Sequence, residues 1–396
     1  MPPLIQRAIQ SCARDSRVAQ QANKTKVTPE MKALVFHGQE VVRYESGLDD
    51  PQIWDEGDVI VRVLRAGICG SDLHQFHGRE PVADGTIPGH EFVGEIVEVG
   101  PAVRSFSIGQ RVFSPFTTCC GKCFFCQNGL SARCNHHYCF GYQPPVGVDD
   151  GGKGIQGAQA ELLRVPQAET TLVSLPSDLS IETALLLGDN FTTGFFCADS
   201  AEIRREGITV VIGCGAVGLS AICAAKYLGA EQIIAVDRVD SRRQRAASLG
   251  AKSVSPEESL ECVQKYAART GQNGADSVLE AVGHPQAQRL AFELVRPGGV
   301  ISAVGMHTSE HFSFSPLEAY DNNVQYKAGR CPVRSYLDRL VPEVLEGRLH
   351  VPVEKIVTHN GVALRDGPQA YEQFSQRVDD CVKVLLDPTL GSSTLK

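Results

Sequence analysis

The chain has little tryptophan or methionine, one and three residues among 396, and it lacks several signatures that would place it in a common class. No apolar run is long enough for a membrane span. The best candidate, Gly207 to Ala225, is uncharged, but glycines at 213, 215 and 218 cut it into a strand and a helix start, so no membrane partner is expected. Clustered lysines and arginines of the kind that grip a phosphate backbone are missing, and with a net charge of −8 no nucleic-acid partner is expected either. The Gly-x-x-x-x-Gly-Lys-Ser/Thr loop of kinases and ATPases is absent. His90-Glu91 has no histidine following at position 94, which excludes the helical zinc-protease motif. No secretory pattern precedes the cysteines, so the Asn190-Phe191-Thr192 triplet has no glycosylating context.

What is present is an ordinary globular composition, 42% apolar and 21% charged, on a chain long enough to favour two cores over one. Fourteen cysteines without a secretory leader point to a reducing, cytoplasmic setting and to metal binding rather than a disulfide framework. Residues 1–30 read as an N-terminal extension. Arg7, Arg14, Arg17, Lys24 and Lys26 accompany a single acid, Asp15, before Glu30. That composition suits a mitochondrial transit peptide, and equally a disordered stretch ahead of a start at Met31.

From Lys32 to about Val173 the pattern is short, β-rich and punctuated by glycine, as in Val59 to Leu64 and Phe92 to Gly100. From about Phe191 it changes to apolar strands followed by amphipathic stretches: Thr209 to Ile212 then Leu219 to Leu228, Gln232 to Asp237 then Arg242 to Leu249, Ala275 to Glu280 then Ala287 to Leu294. Repeated strand-helix units predict a doubly wound parallel sheet in an α/β fold. Beyond about Gly329 the spacing predicts helices over Tyr336 to Leu345 and Pro368 to Arg377, then a last strand over Cys381 to Leu386 that rejoins the first unit.

Three constellations carry chemistry. Cys120, Cys123 and Cys126 stand at three-residue intervals and Cys134 follows. Four thiolates so spaced close a tetrahedral zinc shell with no open position, a structural site; two disulfides or free thiols are the alternatives, and the adjacent Cys119 competes with Cys120 for one ligand place. Cys69, in Gly67-Ile68-Cys69-Gly70-Ser71-Asp72-Leu73-His74, and His90-Glu91 offer sulfur, imidazole and carboxylate, a set that holds zinc while leaving one position free. Each of these fragments alone is as readily a core residue. Gly213-Cys214-Gly215-Ala216-Val217-Gly218 follows an apolar strand and opens a helix, the context in which such a turn cradles a dinucleotide pyrophosphate. Asp237, ending the next strand, suits the adenosine ribose and favours NAD, whereas Arg238, Arg242 and Arg243 leave NADP open.

Taken in order, these residues resemble the zinc-containing medium-chain alcohol dehydrogenases from Lys32 to Pro388. The resemblance implies a GroES-like β-rich catalytic domain over residues 31–190, a Rossmann-type NAD-binding domain over 191–330 and a segment over 331–396 returning to the first. It also implies two zinc ions per chain, one catalytic and one structural, and hydride transfer between an alcohol and NAD. Cys69 and His90 are then catalytic zinc ligands, Ser71 meets the substrate oxygen and His74 is the outer proton acceptor. Where many members carry a third cysteine ligand, this sequence offers Asp189, as in the branch with glutathione-independent formaldehyde dehydrogenases; a helix cap is the other reading of Asp189. Glu91 is a reserve ligand or a partner orienting His90 or Cys69. A polyol or threonine dehydrogenase shares the same pattern, and a non-catalytic zinc and nucleotide-binding protein is the reading from another class. A homodimer or homotetramer is implied, through sheet edges around Gly299 to Gly305.

Overall fold

A computed structural model of the chain describes residues 30–142, 155–269 and 271–391. The expectation for the N-terminal extension falls outside the described residues except for Glu30. Strands β1 (Glu30–Phe36) and β2 (Val42–Asp49) form an antiparallel ribbon. They are followed by β3 (Val59–Ile68), β4 (Phe92–Val99), β5 (Arg111–Phe113), β6 (Leu162–Val165) and β7 (Val173–Ser174). The centre of this first sheet is β3, whose alternating β-branched residues Val59, Val61 and Val63 are fully buried while Arg62 faces solvent. It pairs with β4 from Val59 to Ala66 and with β6 from Val59 to Arg62.

The next six strands are β8 (Ile208–Ile212), β9 (Gln232–Val236), β10 (Lys252–Val254), β11 (Ala275–Glu280), β12 (Val295–Ala303) and β13 (Gln325–Ala328). They form a second sheet in the order β10-β9-β8-β11-β12-β13, every neighbouring pair parallel. This is the doubly wound order whose crevice, beside the first strand, binds dinucleotides. Strands β8 and β11 are buried at every position, as a parallel sheet covered on both faces requires. The first crossover helix, Ala216–Tyr227, starts directly after Gly215, ahead of the apolar stretch at Leu219; the periodicity marks the helix's buried face rather than its first turn. The expectation that Gly299 to Gly305 lies at a sheet edge is corrected: β12 is flanked by β11 and β13, and the edges are β10 and β13.

After the helix Val333–Leu345 come β14 (His359–Ala363), the helix Gly367–Gln376 and β15 (Val384–Asp387). Strand β15 inserts between β14 and β3, so the last residues build the first sheet. Two helices, Ile181–Gly188 and Asn190–Ser200, connect the halves. Their Leu185, Leu187, Phe191 and Phe195 share one apolar core with Phe113 of the first sheet and Val211 and Leu279 of the second. The helix Asn190–Ser200 crosses Ala216–Tyr227 at Gly194, where an added Cβ would lie 2.6 Å from Ala221 N and Val217 O. Only a glycine allows the two backbones this close.

Candidate active site

Strand β3 ends at Ile68, and Cys69 and Ser71 follow before the short helix Asp72–Phe76 that carries His74. His90 and Glu91 immediately precede β4, the neighbour of β3. Asp189 occupies the single-residue break between the connecting helices. It stands at an N-cap position, yet its side chain caps no helix N–H; Asp189 Oδ2 instead lies 3.6 Å from Cys69 Sγ and 3.4 Å from His90 Nε2. One donor atom each from Cys69, His90, Glu91 and Asp189 falls within 4.8 Å of all the others. Sequence separations of 120 residues are thus closed by the fold.

These spacings fit a zinc ion. With Zn–S of about 2.3 Å and Zn–N and Zn–O of about 2.1 Å, a tetrahedron has S···O and N···O edges of about 3.6 and 3.4 Å. The charges agree. Burial and the neighbouring carboxylates of Glu91 and Asp189 raise the pKa of the Cys69 thiol, a thiolate that a cation would relieve. Burial opposes protonation of His90, but the Asp72 carboxylate and contacts to Asp189 and Cys69 lift its pKa well above the usual value.

A surrounding shell fixes these groups. Asp72, fully buried, accepts from Cys69 N at 2.9 Å through Oδ2 and places Oδ1 3.2 Å from His90 Nδ1. Gln159 Nε2 donates to Asp72 and to the Gly67 carbonyl, and its Oε1 accepts from the Tyr371 hydroxyl at 2.9 Å. Glu91 is turned to other partners: Oε2 pairs with buried Lys383 from the segment just before β15, and Oε1 accepts from Asn190 Nδ2 at 2.9 Å. Burial lifts Glu91 to about 7 against the pull of Lys383. Sequence reasoning missed Lys383, Asn190, Gln159 and Tyr371. For Lys383 a signal existed, a lone charge inside the apolar run Cys381 to Leu386.

Ser71 Oγ is 3.3 Å from His90 Nε2. His74 is half-buried, its Nδ1 has no protein partner, and burial together with Arg79 and His77 lowers its pKa. The four cysteines at 120, 123, 126 and 134 also converge within 4.8 Å as free thiols. Cys123 and Cys126 sulfurs are 3.6 Å apart, near the about 3.8 Å S···S edge of a zinc tetrahedron and far from a disulfide bond. Cys119 points elsewhere, donating to the Thr170 carbonyl at 3.0 Å.

In the second half Gly213 takes φ +91°, and an added Cβ on Gly218 would lie 1.6 Å from the Gly213 carbonyl oxygen, so the turn packs directly beneath its helix. Ala216 and Val217 form that helix's first turn. Asp237 accepts from Cys214 N at 2.7 Å and Val239 N at 2.8 Å, holding the turn. Arg238 is exposed and Arg242 lies near Gly215.

A doubly wound sheet with a glycine turn, facing a buried sulfur, imidazole and carboxylate cluster on a separate β-sheet, defines a metal- and dinucleotide-using oxidoreductase. The family model for the alcohol dehydrogenase GroES-like domain matches residues 55–177, and that for zinc-binding dehydrogenases matches residues 216–335. Zinc-type alcohol dehydrogenase B of Aspergillus flavus is 41% identical over 77% of this chain and 70% of its own. Alcohol dehydrogenase TADH from Thermus sp. ATN1 superposes with a TM-score of 0.81 at 38% identity, covering 90% of this chain and 99% of its own. The chain belongs to the zinc-containing medium-chain alcohol dehydrogenases, and it is a zinc-dependent oxidoreductase of alcohols that uses a nicotinamide cofactor. The formaldehyde-dehydrogenase branch is more distant: the glutathione-independent formaldehyde dehydrogenase of Bacillus subtilis is 27% identical over 84% of this chain and 87% of its own. Among the described residues no helix is long and apolar enough to cross a membrane.

Proposed function

We propose that the protein is an NAD-dependent alcohol dehydrogenase with two zinc ions per chain. The observation that carries this reading is the buried donor set, whose 3.4 and 3.6 Å spacings suit zinc. Cys69, His90 and Asp189 are the catalytic ligands. Glu91, with both oxygens engaged by Lys383 and Asn190, steadies the site from behind. Cys120, Cys123, Cys126 and Cys134 hold the structural ion.

When bound, zinc supplies the Lewis acidity that makes an alcohol acidic near neutrality, and NAD supplies the hydride acceptor. The chain does the rest. Ser71 Oγ takes up the substrate's hydroxyl proton as it gives up its own, and His74, kept neutral by burial, is the final acceptor of the relay. Asp72 orients His90 while holding the Cys69 backbone. Gly213, Gly215 and Gly218 admit the pyrophosphate against the helix start with Ala216 and Val217, and Asp237, with Arg238 beside it, faces the adenosine ribose. The acid disfavours a 2′-phosphate, which supports NAD over NADP.

The domain division proposed is 31–190, 191–330 and 331–396. A homodimer is proposed through the edge strand β13, close to exposed Leu317 and Tyr320. The described cysteines are all free, which supports a cytoplasmic setting. The test is metal analysis with a substrate panel: two zinc equivalents per chain, and NADH absorbance rising with primary or secondary alcohols. Cys69→Ala should remove turnover and leave NAD binding; one zinc in fully loaded protein, or loss of both properties together, contradicts the reading.

A further inference from the structure

One donor atom each from Cys69, His90, Glu91 and Asp189 lies within 4.8 Å of the others, so Glu91 is within reach of the place assigned above to the catalytic ion. Four donors would close a tetrahedral shell, whereas a catalytic site keeps one position for water or substrate. Something must hold Glu91 back. Its Oε2 is taken: it pairs with Lys383 and lies against Gly67, where an added Cβ would collide with it. That leaves Oε1, and Asn190 Nδ2 donates to it at 2.9 Å.

The same amide nitrogen serves the other two anions of the site, 3.1 Å from Asp189 Oδ2 and 3.7 Å from Cys69 Sγ. All three neighbours accept hydrogen bonds when charged, so the nitrogen end of the amide, not its oxygen, must face them. Asn190 is 1% exposed, and among the described residues its Oδ1 has no hydrogen-bond partner. The amide is held by its nitrogen alone. The backbone sets this up: Asp189 sits between two helices at φ −151° and ψ −82°, and Asn190 is the first residue of the second helix. Thr193, one turn along that helix, donates to Asp189 Oδ1 at 3.2 Å, which leaves Oδ2 to face Cys69 and His90. One carboxylate is thereby turned toward the metal, and the residue next to it ties the other off.

We propose that Asn190 is a positioning residue that holds Glu91 off the catalytic metal, so that three side chains rather than four bind the ion and one position stays open for substrate. The inference rests on the zinc dehydrogenase reading above and assigns a role within that same site.

The experiment compares the wild type, Asn190→Leu, Glu91→Gln and the double variant, each loaded with zinc for kinetics and with cobalt for visible absorption, which reports the ligands around the ion. Asn190→Leu keeps the size of the side chain and removes its donor; Asn190→Ala, which also lacks the donor and adds no bulk, is read in the same way. Azide, which enters only an open position, should change the cobalt spectrum of the wild type. In Asn190→Leu both metal ions should be retained, the azide response should be lost, and kcat/KM should fall by about 10–100-fold. With Glu91→Gln added, position 91 carries a neutral amide in place of the competing carboxylate. The azide response should then return, with kcat/KM within about twofold of Glu91→Gln alone. An azide response that survives in Asn190→Leu overturns the proposal, as does loss of the catalytic ion from it, since a freed carboxylate adds a ligand. A deficit that persists undiminished in the Glu91→Gln background also overturns it, because Asn190 would then act on the fold and not through Glu91. A wild type that ignores azide and turns over no alcohol across the wider panel instead removes the dehydrogenase reading and the proposal with it.

Discussion

Gly194→Ala is a substitution in neither site that should impair both. A methyl there would lie 2.6 Å from the Ala221 nitrogen and the Val217 oxygen, and 2.7 Å from Ser220 Cβ. Ordinary contact begins near 3.4 Å, so the helices Asn190–Ser200 and Ala216–Tyr227 must separate by about 0.8 Å, the difference from the 2.6 Å contact. Two of the three obstacles are backbone atoms, so no rotamer change relieves them. Overpacking of this kind costs about 1–3 kcal/mol. The displacement matters more than the energy, because the first helix begins at Asn190, directly after Asp189, and the second begins at the glycine turn. A shift near 1 Å between reacting groups lowers rates by about 10²-fold. Calorimetry should show a melting temperature lower by several degrees, NADH fluorescence titration a smaller change in affinity, and steady-state assays a kcat reduced by about 10²-fold. Wild-type kcat in a protein that melts lower would refute the coupling of the two sites through this crossing.

Lys383→Met leaves Glu91 buried without its cation, a loss of about 3–5 kcal/mol if the carboxylate stays charged. A free Glu ionises near 4.3 and burial raises Glu91 in the fold, so folded protein holds the proton longer and this group's contribution falls as pH rises. Without Lys383 the folded value climbs further. Urea midpoints of metal-free protein should therefore diverge from the wild type increasingly above about pH 7, by at most about 1.4 kcal/mol per pH unit; a gap equal at pH 6 and pH 9 contradicts this. Asp237→Ser removes the acceptor for Cys214 N and Val239 N and should shift the NAD to NADP preference by about tenfold or more toward NADP in steady-state assays; an unchanged ratio refutes the ribose assignment. Cys134→Ser should halve bound zinc by elemental analysis, with the remaining ion active until the lobe unfolds; two retained ions would exclude Cys134 as a ligand. For His74, whose pKa is lowered by burial, kcat/KM should fall only below the ordinary histidine range as pH drops, and His74→Gln should lower the plateau by about 10²-fold and erase that acid limb.

Much of this was legible in the sequence, for stated physical reasons. Parallel strands covered on both faces must be nearly all apolar, so β8, β9 and β11 stood out. The glycine turn and the four cysteines are local, and local spacing carries their geometry. The groups around Cys69 are not local. Gln159 reaches Asp72 across 87 residues and Tyr371 reaches Gln159 across 212, with no spacing rule linking them. The edge of the parallel sheet was misplaced because periodicity identifies strands but not their order: Gly299 lies within β12, and β13 pairs outside it.

The insertion of β15 between β14 and β3 also sets an order of events during synthesis. Strands β8 to β13 are contiguous in the chain, so the nucleotide half can assemble while translation continues. The first sheet cannot, because β15, which lies between β14 and β3, is made after every other strand of that sheet. Lys383, the counter-charge for Glu91, leaves the ribosome at about the same moment. A chain truncated before it would keep a dinucleotide fold while leaving the metal pocket open and its buried acid uncompensated.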